Sequence, residues 1–150
     1  MPSDTILFFT SCSPENTLEN IQIDVKPLFD TTIFYYNKIE EKKEISSIFK
    51  GLGKNNYECL THETEGKGQT LKKIDEFLTE NKLYKKYKYI GIIDDDLVCS
   101  FSDLNEIISI ANEYKLNSFQ PSLTKDSFFS HQFTLKKDNS LMHWVKWVEI

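Results

Sequence analysis

Short apolar runs bounded by turn-forming residues recur along the chain. Thr5 to Thr10 is an apolar run that leads into Ser11-Cys12-Ser13-Pro14, which is typical of a strand followed by a loop. Thr31 to Tyr36 is β-branched and aromatic, and it predicts a second strand that ends at Asn37. The other predicted strands are Tyr57 to Thr61, Tyr89 to Ile93 and Asn117 to Gln120, the last one stopped by Pro121.

Between these runs, apolar residues recur at the spacing of one face of an α-helix in three segments. The first segment ends at Gly51 and Gly53, which favour a helix stop. Thr70 is the expected N-cap of the second helix, and Ser102 or Asp103 that of the third. The predicted buried stripes are Ile45, Ile48, Phe49 and Leu52; Leu71, Ile74, Phe77 and Leu78; and Leu104, Ile107, Ile108 and Ala111.

The alternation of strands with helices predicts an α/β fold with a mainly parallel central sheet flanked by helices. The chain has 150 residues, which suits a single domain spanning residues 1–150 and is enough to bury a substantial core. The segment after Gln120 is less regular, and its pattern assigns no element there.

Composition narrows the class of partner. Hydrophobic residues make up 39% of the chain and charged residues 27%, as in an ordinary soluble globular protein. The net charge of −5 argues against nucleic acid or an anionic membrane as the main partner, although a peripheral membrane association stays open. Every basic residue is a lysine, so lysine, backbone N–H groups or a metal must bind any phosphate, without bidentate arginine clamps.

Cysteine usage and apolar run lengths indicate the compartment. Cys12, Cys59 and Cys99 are odd in number and widely spaced, which favours a reducing environment over a disulfide framework. The longest apolar run near the start, Ile6 to Phe9, is far too short for a signal peptide or a membrane span. We therefore expect a cytoplasmic protein.

An acidic triplet follows directly after Tyr89 to Ile93, which is predicted to be a buried strand. If the backbone stays extended, Asp94 and Asp96 point to the same side, with Asp95 between them. Such a cluster is costly unless it is protonated, solvated or neutralised by a cation, and its oxygen atoms suit magnesium or manganese. Ligands of open α/β sheets bind beyond the carboxyl ends of the strands. The triplet thus predicts a metal or nucleotide site; the alternative is a solvated turn that caps the next helix.

Lys67 lies between Gly66 and Gly68, shortly before the second predicted helix. Glycines on both sides would let the backbone approach a phosphate closely. A flexible turn before the helix is an equally good interpretation. No GxGxxG motif follows the first strand, so a Rossmann dinucleotide site is not predicted.

The order of several motifs resembles that of the GT-A glycosyltransferases, whose hallmark is a DxD motif after a core strand. The likeness is closest to small bacterial and viral members of that fold, and it covers nearly the whole chain. The segments that carry it are EGKGQTLKKIDEFL at 65–78, YIGIIDDDLV at 89–98, NSFQPSLTKDSFFSHQFT at 117–134 and WVEI at 147–150. The resemblance implies a Rossmann-like GT-A fold that binds a nucleotide sugar.

The resemblance also implies roles for individual residues. Asp94 would contact the ribose or the donor sugar and share in binding the metal, Asp96 would coordinate the metal, and Asp95 would do either through water. Lys67 would approach the diphosphate. The remaining implied contacts are His131 as a further metal ligand, and Ser11 and Asn37 near the base and ribose, the last at a position where relatives often carry aspartate.

Two carboxylates are candidates for the general base that would take a proton from an acceptor hydroxyl, namely Glu149 and Asp126. Asp126 is also interpretable as a solvated surface carboxylate. In the relatives, the VE segment leads into a further region that helps to bind the acceptor, whereas this chain ends at Ile150. We therefore expect either a truncated enzyme or a minimal one.

The function that the sequence predicts is transfer of a sugar from a nucleoside diphosphate sugar to a saccharide or another hydroxyl acceptor. The donor is expected to be a UDP-sugar, and the cofactor Mn²⁺ or Mg²⁺. The alternative from another class is a non-catalytic module that binds a nucleotide or sugar, or a partial domain that needs a partner. The sugar, the acceptor, the stereochemical outcome and the oligomeric state stay open.

Overall fold

The computed structural model describes residues 3–13, 18–37, 59–127 and 132–138. The chain divides into two compact units, Met1–Ile108 and Ser109–Ile150. The predicted helix that contains Ile45 to Leu52 lies outside the described residues. No helix in the described ranges has both the length and the apolar character that crossing a bilayer requires.

The strands of the described ranges are β1 (Thr5–Ser11), β2 (Ile21–Gln22), β3 (Asp30–Tyr35), β4 (Cys59–Thr61), β5 (Tyr89–Ile93) and β6 (Cys99–Ser100). Four of them form one sheet in the order β4-β3-β1-β5, and every pairing in it is parallel. The carboxyl ends of these four strands therefore lie at one edge of the sheet, and their amino ends at the other. Over the described residues, the prediction of an α/β fold with a mainly parallel sheet is confirmed.

Two helices of at least three turns pack on this sheet: α1 (Lys67–Glu80), which follows β4, and α2 (Phe101–Glu113), which follows β6. They cover opposite faces, because the side chains of β1 alternate between two apolar clusters. One cluster consists of Ile6, Phe8, Phe34, Leu60, Ile74, Leu78 and Tyr87. The other consists of Leu7, Phe9, Phe29, Phe101, Leu104 and Ile108. Because β1 contributes side chains to both clusters, it is the centre of the core. Burial of one such side chain stabilises the fold by roughly 1.5–3 kcal/mol.

The start of α1 differs from the prediction that Thr70 is its N-cap. The carbonyl of Gly66 accepts hydrogen bonds from the N–H groups of Gln69 and Thr70, so Gly66 is the N-cap and the helix begins four residues earlier than predicted, at Lys67. Thr70 lies inside the first turn and is buried, with its hydroxyl 2.9 Å from that of Thr64. A hydroxyl residue near a helix start was therefore a correct signal for the helix and a wrong one for its boundary.

The cap of α2 is Ser100, not Ser102 or Asp103. The hydroxyl of Ser100 accepts from the N–H of Asp103 at 3.1 Å, and the carboxylate of Asp103 accepts from the N–H of Ser100 at 2.8 Å. This reciprocal pair is a capping box, with Asp103 as its third helical residue. Ser102 instead donates its N–H and its hydroxyl to the carboxylate of Asp24, which ties the loop after β2 to the helix.

The predicted strand Tyr89 to Ile93 forms, but it is less buried than expected. It is an edge strand of the described sheet, and Ile90 is 37% exposed. Gly91 lies opposite Leu7 on β1, and a Cβ atom at position 91 would come within 2.5 Å of a Leu7 methyl carbon. A larger residue at position 91 would therefore require the Leu7 side chain to move.

The second unit contains a small bridged loop. Leu123 and Leu135 form an isolated parallel bridge, closed by hydrogen bonds from Leu123 to Thr134 and from Lys136 to Leu123, each 2.8 Å long. The predicted strand Asn117 to Gln120 is wrong: these residues form bends and irregular backbone. Three of its four residues are exposed and only Phe119 is partly buried, so the segment lacks the apolar face that would hold a strand against a core.

Candidate functional site

The acidic triplet lies where β5 leaves the sheet, and it forms a turn. The N–H of Leu97 donates to the carbonyl of Asp94 at 3.2 Å, so the chain reverses over Asp95 and Asp96. The prediction that Asp94 and Asp96 point to the same side assumed an extended backbone, which the turn replaces. We call residues 94–97 the acidic turn.

Asp95 is held by hydrogen bonds from two other segments of the chain. The hydroxyl of Tyr36, just beyond β3, donates to the Asp95 carboxylate at 2.7 Å. The side-chain amide of Asn20 donates to the Asp95 backbone carbonyl at 2.9 Å, and the Asn20 carbonyl accepts from the N–H of Cys99 at 3.3 Å. The acidic turn is therefore connected both to the end of β3 and to the loop before β2.

Asp94 forms an ion pair with Lys67, whose Nζ lies 2.6 Å from Asp94 Oδ2. Lys67 is the first residue of α1, and the sheet brings that helix start to the same edge as the end of β5. The side chains are 60% and 39% exposed, so solvent screens the pair and its net contribution to stability is about 0–1 kcal/mol. Lys67 and Asp94 can therefore separate at little cost.

Asp96 is exposed, and it makes no hydrogen bond or ion pair with any residue of the described ranges. The acidic turn thus carries three carboxylates with different surroundings. One faces a lysine, one accepts from a tyrosine, and one faces solvent.

The ends of β1 and β3 meet beside this turn. The N–H of Tyr36 donates to the Ser11 carbonyl at 3.2 Å, and the side-chain amide of Asn37 donates to the Cys12 carbonyl at 3.2 Å. The hydroxyl of Ser11 is buried and donates to the Ser13 carbonyl at 2.8 Å. Of the two residues expected near a base and ribose, Asn37 is exposed at the edge, whereas Ser11 shapes the loop after β1.

A shallow cleft adjoins the acidic turn. Its polar lining includes Thr10, Asn20, Asp94 and Asp95, and Leu18 contributes to its apolar lining. The space that the described residues enclose there is about 10 Å³, which is roughly the room of one water molecule. Pockets for drug-sized ligands have roughly 300–1,000 Å³, so the described residues do not enclose a ligand of that size at this cleft. Leu18 adopts a φ of 59°, in the left-handed region that bulky side chains rarely occupy, at the tight turn that delivers Asn20 to Asp95.

Among the described titratable groups at this edge, Tyr36 is the one whose pKa is shifted most. Partial burial, and after it the hydrogen bond to the Asp95 carboxylate, raise the pKa of Tyr36 well above its usual range. The phenol therefore keeps its proton at any physiological pH and acts as a hydrogen-bond donor to Asp95.

Three further site residues were predicted from the sequence, namely His131, Glu149 and Asp126. His131 and Glu149 fall outside the described residues. Asp126 is in the second unit and exposed, and a hydrogen bond from Thr124 lowers the pKa of its carboxyl group. A lowered pKa makes a carboxylate a weaker base, so this local environment does not prepare Asp126 for proton abstraction.

The carboxylate oxygens of the acidic turn fit the chemistry of a hard divalent ion. Their arrangement is not a ready-made cage, because the described residues contain no group of three His, Cys, Asp or Glu side chains that could hold a metal. Asp94 and Asp96 are the two described residues that would hold such an ion. The space beside Gly66 and Gly68 is open, since no described atom lies within 4 Å of a Cβ placed at either.

Sequence reasoning missed Tyr36 and Asn20, which hold the acidic turn. Tyr36 was predicted only as the last residue of a strand, and its position at the carboxyl end of a neighbouring strand was a usable signal. Nothing in the sequence around Asn20 pointed to Asp95, because the contact spans 75 residues. No family model, no curated protein and no solved structure matches this chain.

Proposed function

We propose that the protein is a metal-dependent glycosyltransferase that uses a nucleoside diphosphate sugar, with a UDP-sugar as the expected donor. The observation that supports this most is the convergence at one sheet edge of the acidic turn, Lys67 and Asn37. These groups come from three separate segments, and the carboxyl edge of a parallel sheet is where α/β proteins bind nucleotides. The GT-A resemblance of the sequence supplies the reaction class.

Asp94 and Asp96 would hold the divalent ion, with His131 as the further ligand that the resemblance implies. A bound Mn²⁺ or Mg²⁺ would stabilise the negative charge of the diphosphate leaving group. Neighbouring carboxylates repel each other, and a cation bound to them relieves that repulsion, so the acidic turn is suited to this role.

Lys67 would bind the diphosphate of the donor. Its ion pair with Asp94 is exposed and weak, so exchanging the carboxylate for a phosphate costs little free energy. The exchange would also release Asp94 to the metal. The same contact therefore explains both how the cluster is stabilised without a ligand and how it opens to one.

In the transfer itself, an acceptor hydroxyl attacks the anomeric carbon, the bond from that carbon to the diphosphate oxygen breaks, and a base takes the hydroxyl proton. Glu149 and Asp126 were the sequence candidates for that base. The lowered pKa of Asp126 disfavours it. Glu149 is therefore the candidate to test first.

Calorimetry of the purified chain with UDP and Mn²⁺ tests the proposal. We expect binding that requires the metal, and its loss in Asp96→Ala with the circular dichroism spectrum unchanged. Asp75→Ala, which removes a carboxylate on α1 away from this edge, should bind as wild type does. Equal binding by wild type and Asp96→Ala would refute the assigned role of the acidic turn.

Turnover is a separate measurement. Release of free sugar or transfer from a panel of UDP-sugars, followed by chromatography, would support the enzyme. Metal-dependent UDP binding without release or transfer would instead support the alternative, a non-catalytic nucleotide-binding module.

A further inference from the structure

The three carboxylates of the acidic turn are consecutive in sequence but differ in their partners. Asp94 and Asp96 are respectively paired with an exposed lysine and open to solvent, and both remain accessible to a ligand. Asp95 is the one whose carboxylate is already bound by a half-buried neutral donor, the hydroxyl of Tyr36, at 2.7 Å.

Tyr36 is itself firmly placed. Its N–H donates to the carbonyl of Ser11, and its carbonyl accepts from the N–H of Thr64, so both backbone groups are tied to the ends of neighbouring segments. Its ring packs against the apolar cluster that contains Phe34 and Leu60. The phenol is therefore a rigid point of attachment at the end of β3, and Asp95 is fastened to it.

A second attachment acts on the backbone of the same residue. Asn20, in the loop before β2, donates to the Asp95 carbonyl at 2.9 Å. Asp95 is thus fixed by other segments of the chain through its side chain and through its main chain, whereas the carboxylate of Asp94 takes part in an exposed ion pair.

We infer that Asp95 is a positioning residue and not a ligand: with Tyr36 it fixes the turn that presents Asp94 and Asp96 to the metal and diphosphate. This rests on the proposed function and assigns the three acidic residues different work within it. What matters at position 95 is then a hydrogen-bond acceptor for the phenol. A negative charge there is dispensable.

The two roles make opposite demands on a neutral acceptor. Asn at position 95 keeps an oxygen that accepts from Tyr36 but has no charge to offer a cation. Ala has neither. A positioning residue is therefore rescued by Asn, and a metal or phosphate-metal ligand is not.

The test is calorimetry of UDP in Mn²⁺ with wild type, Tyr36→Phe, Asp95→Ala, Asp95→Asn and the double variant Tyr36→Phe/Asp95→Ala. Losing one hydrogen bond should weaken binding by up to about tenfold in Tyr36→Phe and in Asp95→Ala. The double variant should be no weaker than either single one, and Asp95→Asn should recover affinity to within about threefold of wild type.

Tyr84→Phe is the matched control, because Tyr84 donates to the carboxylate of Asp75 in an exposed pair away from the acidic turn. It should bind as wild type does. Tyr36→Phe removes a single oxygen atom and keeps the packing of the ring, so it should fold even if Asp95→Ala does not. In that case, the UDP affinities of Tyr36→Phe and Asp95→Asn decide whether Asp95 is a positioning residue.

The inference would be overturned if Asp95→Asn bound UDP as weakly as Asp95→Ala. If Asp95→Ala does not fold, the inference would be overturned if Asp95→Asn bound UDP more weakly than Tyr36→Phe. Either result would leave the proposed function standing. Additive losses in the double variant would overturn the inference too. Failure of the wild-type chain to bind UDP with Mn²⁺ would remove the proposed function first, and this inference with it.

Discussion

The two edges of the sheet use the same three residue types to different ends. At the amino edge, Asp30 at the start of β3 accepts from the hydroxyl of Tyr87 at 2.5 Å and from Lys86 at 3.0 Å. At the carboxyl edge, Tyr36 and Lys67 each bind a different carboxylate of the acidic turn, at 2.7 and 2.6 Å.

The side chains of Asp30, Lys86 and Tyr87 at the amino edge are hydrogen-bonded to one another, so we call that edge closed. The carboxyl edge is not closed in this sense. At the amino edge, the Asp30 carboxylate accepts from two donors, and the Lys86 Nζ also lies 2.6 Å from the Tyr87 hydroxyl, so the three groups form hydrogen bonds with one another. At the carboxyl edge, two donors serve three consecutive carboxylates, and Asp96 is exposed. A closed polar cluster stabilises the fold, whereas a surplus of acceptors leaves an attraction for a cation.

The largest expected effect is on ligand affinity. The double variant Asp94→Asn/Asp96→Asn should bind UDP with Mn²⁺ at least about 100-fold more weakly, a loss of about 2.7 kcal/mol, because it removes both predicted anionic ligands. Asp30→Asn should stay within about twofold of wild type, since its edge is closed. Calorimetry measures both, and a similar loss in both variants would erase the distinction between the edges.

A smaller effect is expected on stability, and in the opposite order. Asp30→Ala should lower the free energy of unfolding by about 1–3 kcal/mol, because the buried Tyr87 loses the acceptor of its hydroxyl. Asp96→Ala should change it by less than about 0.5 kcal/mol, as for an exposed substitution. Urea unfolding at pH 7 provides the comparison; an unstable Asp96→Ala would mean that the acidic turn is structural.

The two lysines sharpen the comparison further. Lys67→Met should change the free energy of unfolding by less than about 0.5 kcal/mol, because its ion pair is exposed on both sides. It should nonetheless weaken UDP binding. Lys86→Met should leave UDP affinity unchanged, so the pair of variants separates a ligand-facing lysine from a structural one by titration alone.

The smallest effect concerns alkaline pH, where the edges should behave alike. Burial first, and then the neighbouring aspartate, raise the pKa of both Tyr36 and Tyr87. The unfolded chain loses its phenol protons near pH 10 while the folded chain keeps them, so the stabilisation is complete below about pH 10 and declines above it.

Tyr36→Phe and Tyr87→Phe should each flatten that decline between about pH 10 and pH 11, as measured by urea unfolding across the range. The Cys99 thiol, whose pKa burial raises to about 11, contributes its own decline equally in both variants. An undiminished slope in Tyr36→Phe would mean that the phenol is not bound to Asp95 in solution.

Much of the first unit could be predicted from local pattern. The strands around Phe8, Phe34 and Ile92 and the helices around Ile74 and Leu104 were expected at their places, because alternating or helical spacing of apolar residues is a local property of the chain. The observed helix starts lie before the predicted ones, because the position of a cap depends on which groups form the hydrogen bonds of the first turn. The strand at Asn117 to Gln120 was wrong because four residues with one apolar side chain carry too little signal.

The sequence alone determined the order of the four strands of the main sheet and of α1 and α2, and the position of the acidic residues directly after β5, since these follow from neighbouring residues. The two short strands β2 and β6 were not predicted. Only the tertiary structure decided that Tyr36 and Asn20 bind Asp95 and that Lys67 meets Asp94. These contacts join residues 27 to 75 positions apart, and parallel pairing brings them to one edge. The physical reason is that hydrophobic spacing specifies which face of a strand is buried, whereas partners at strand ends depend on strand order.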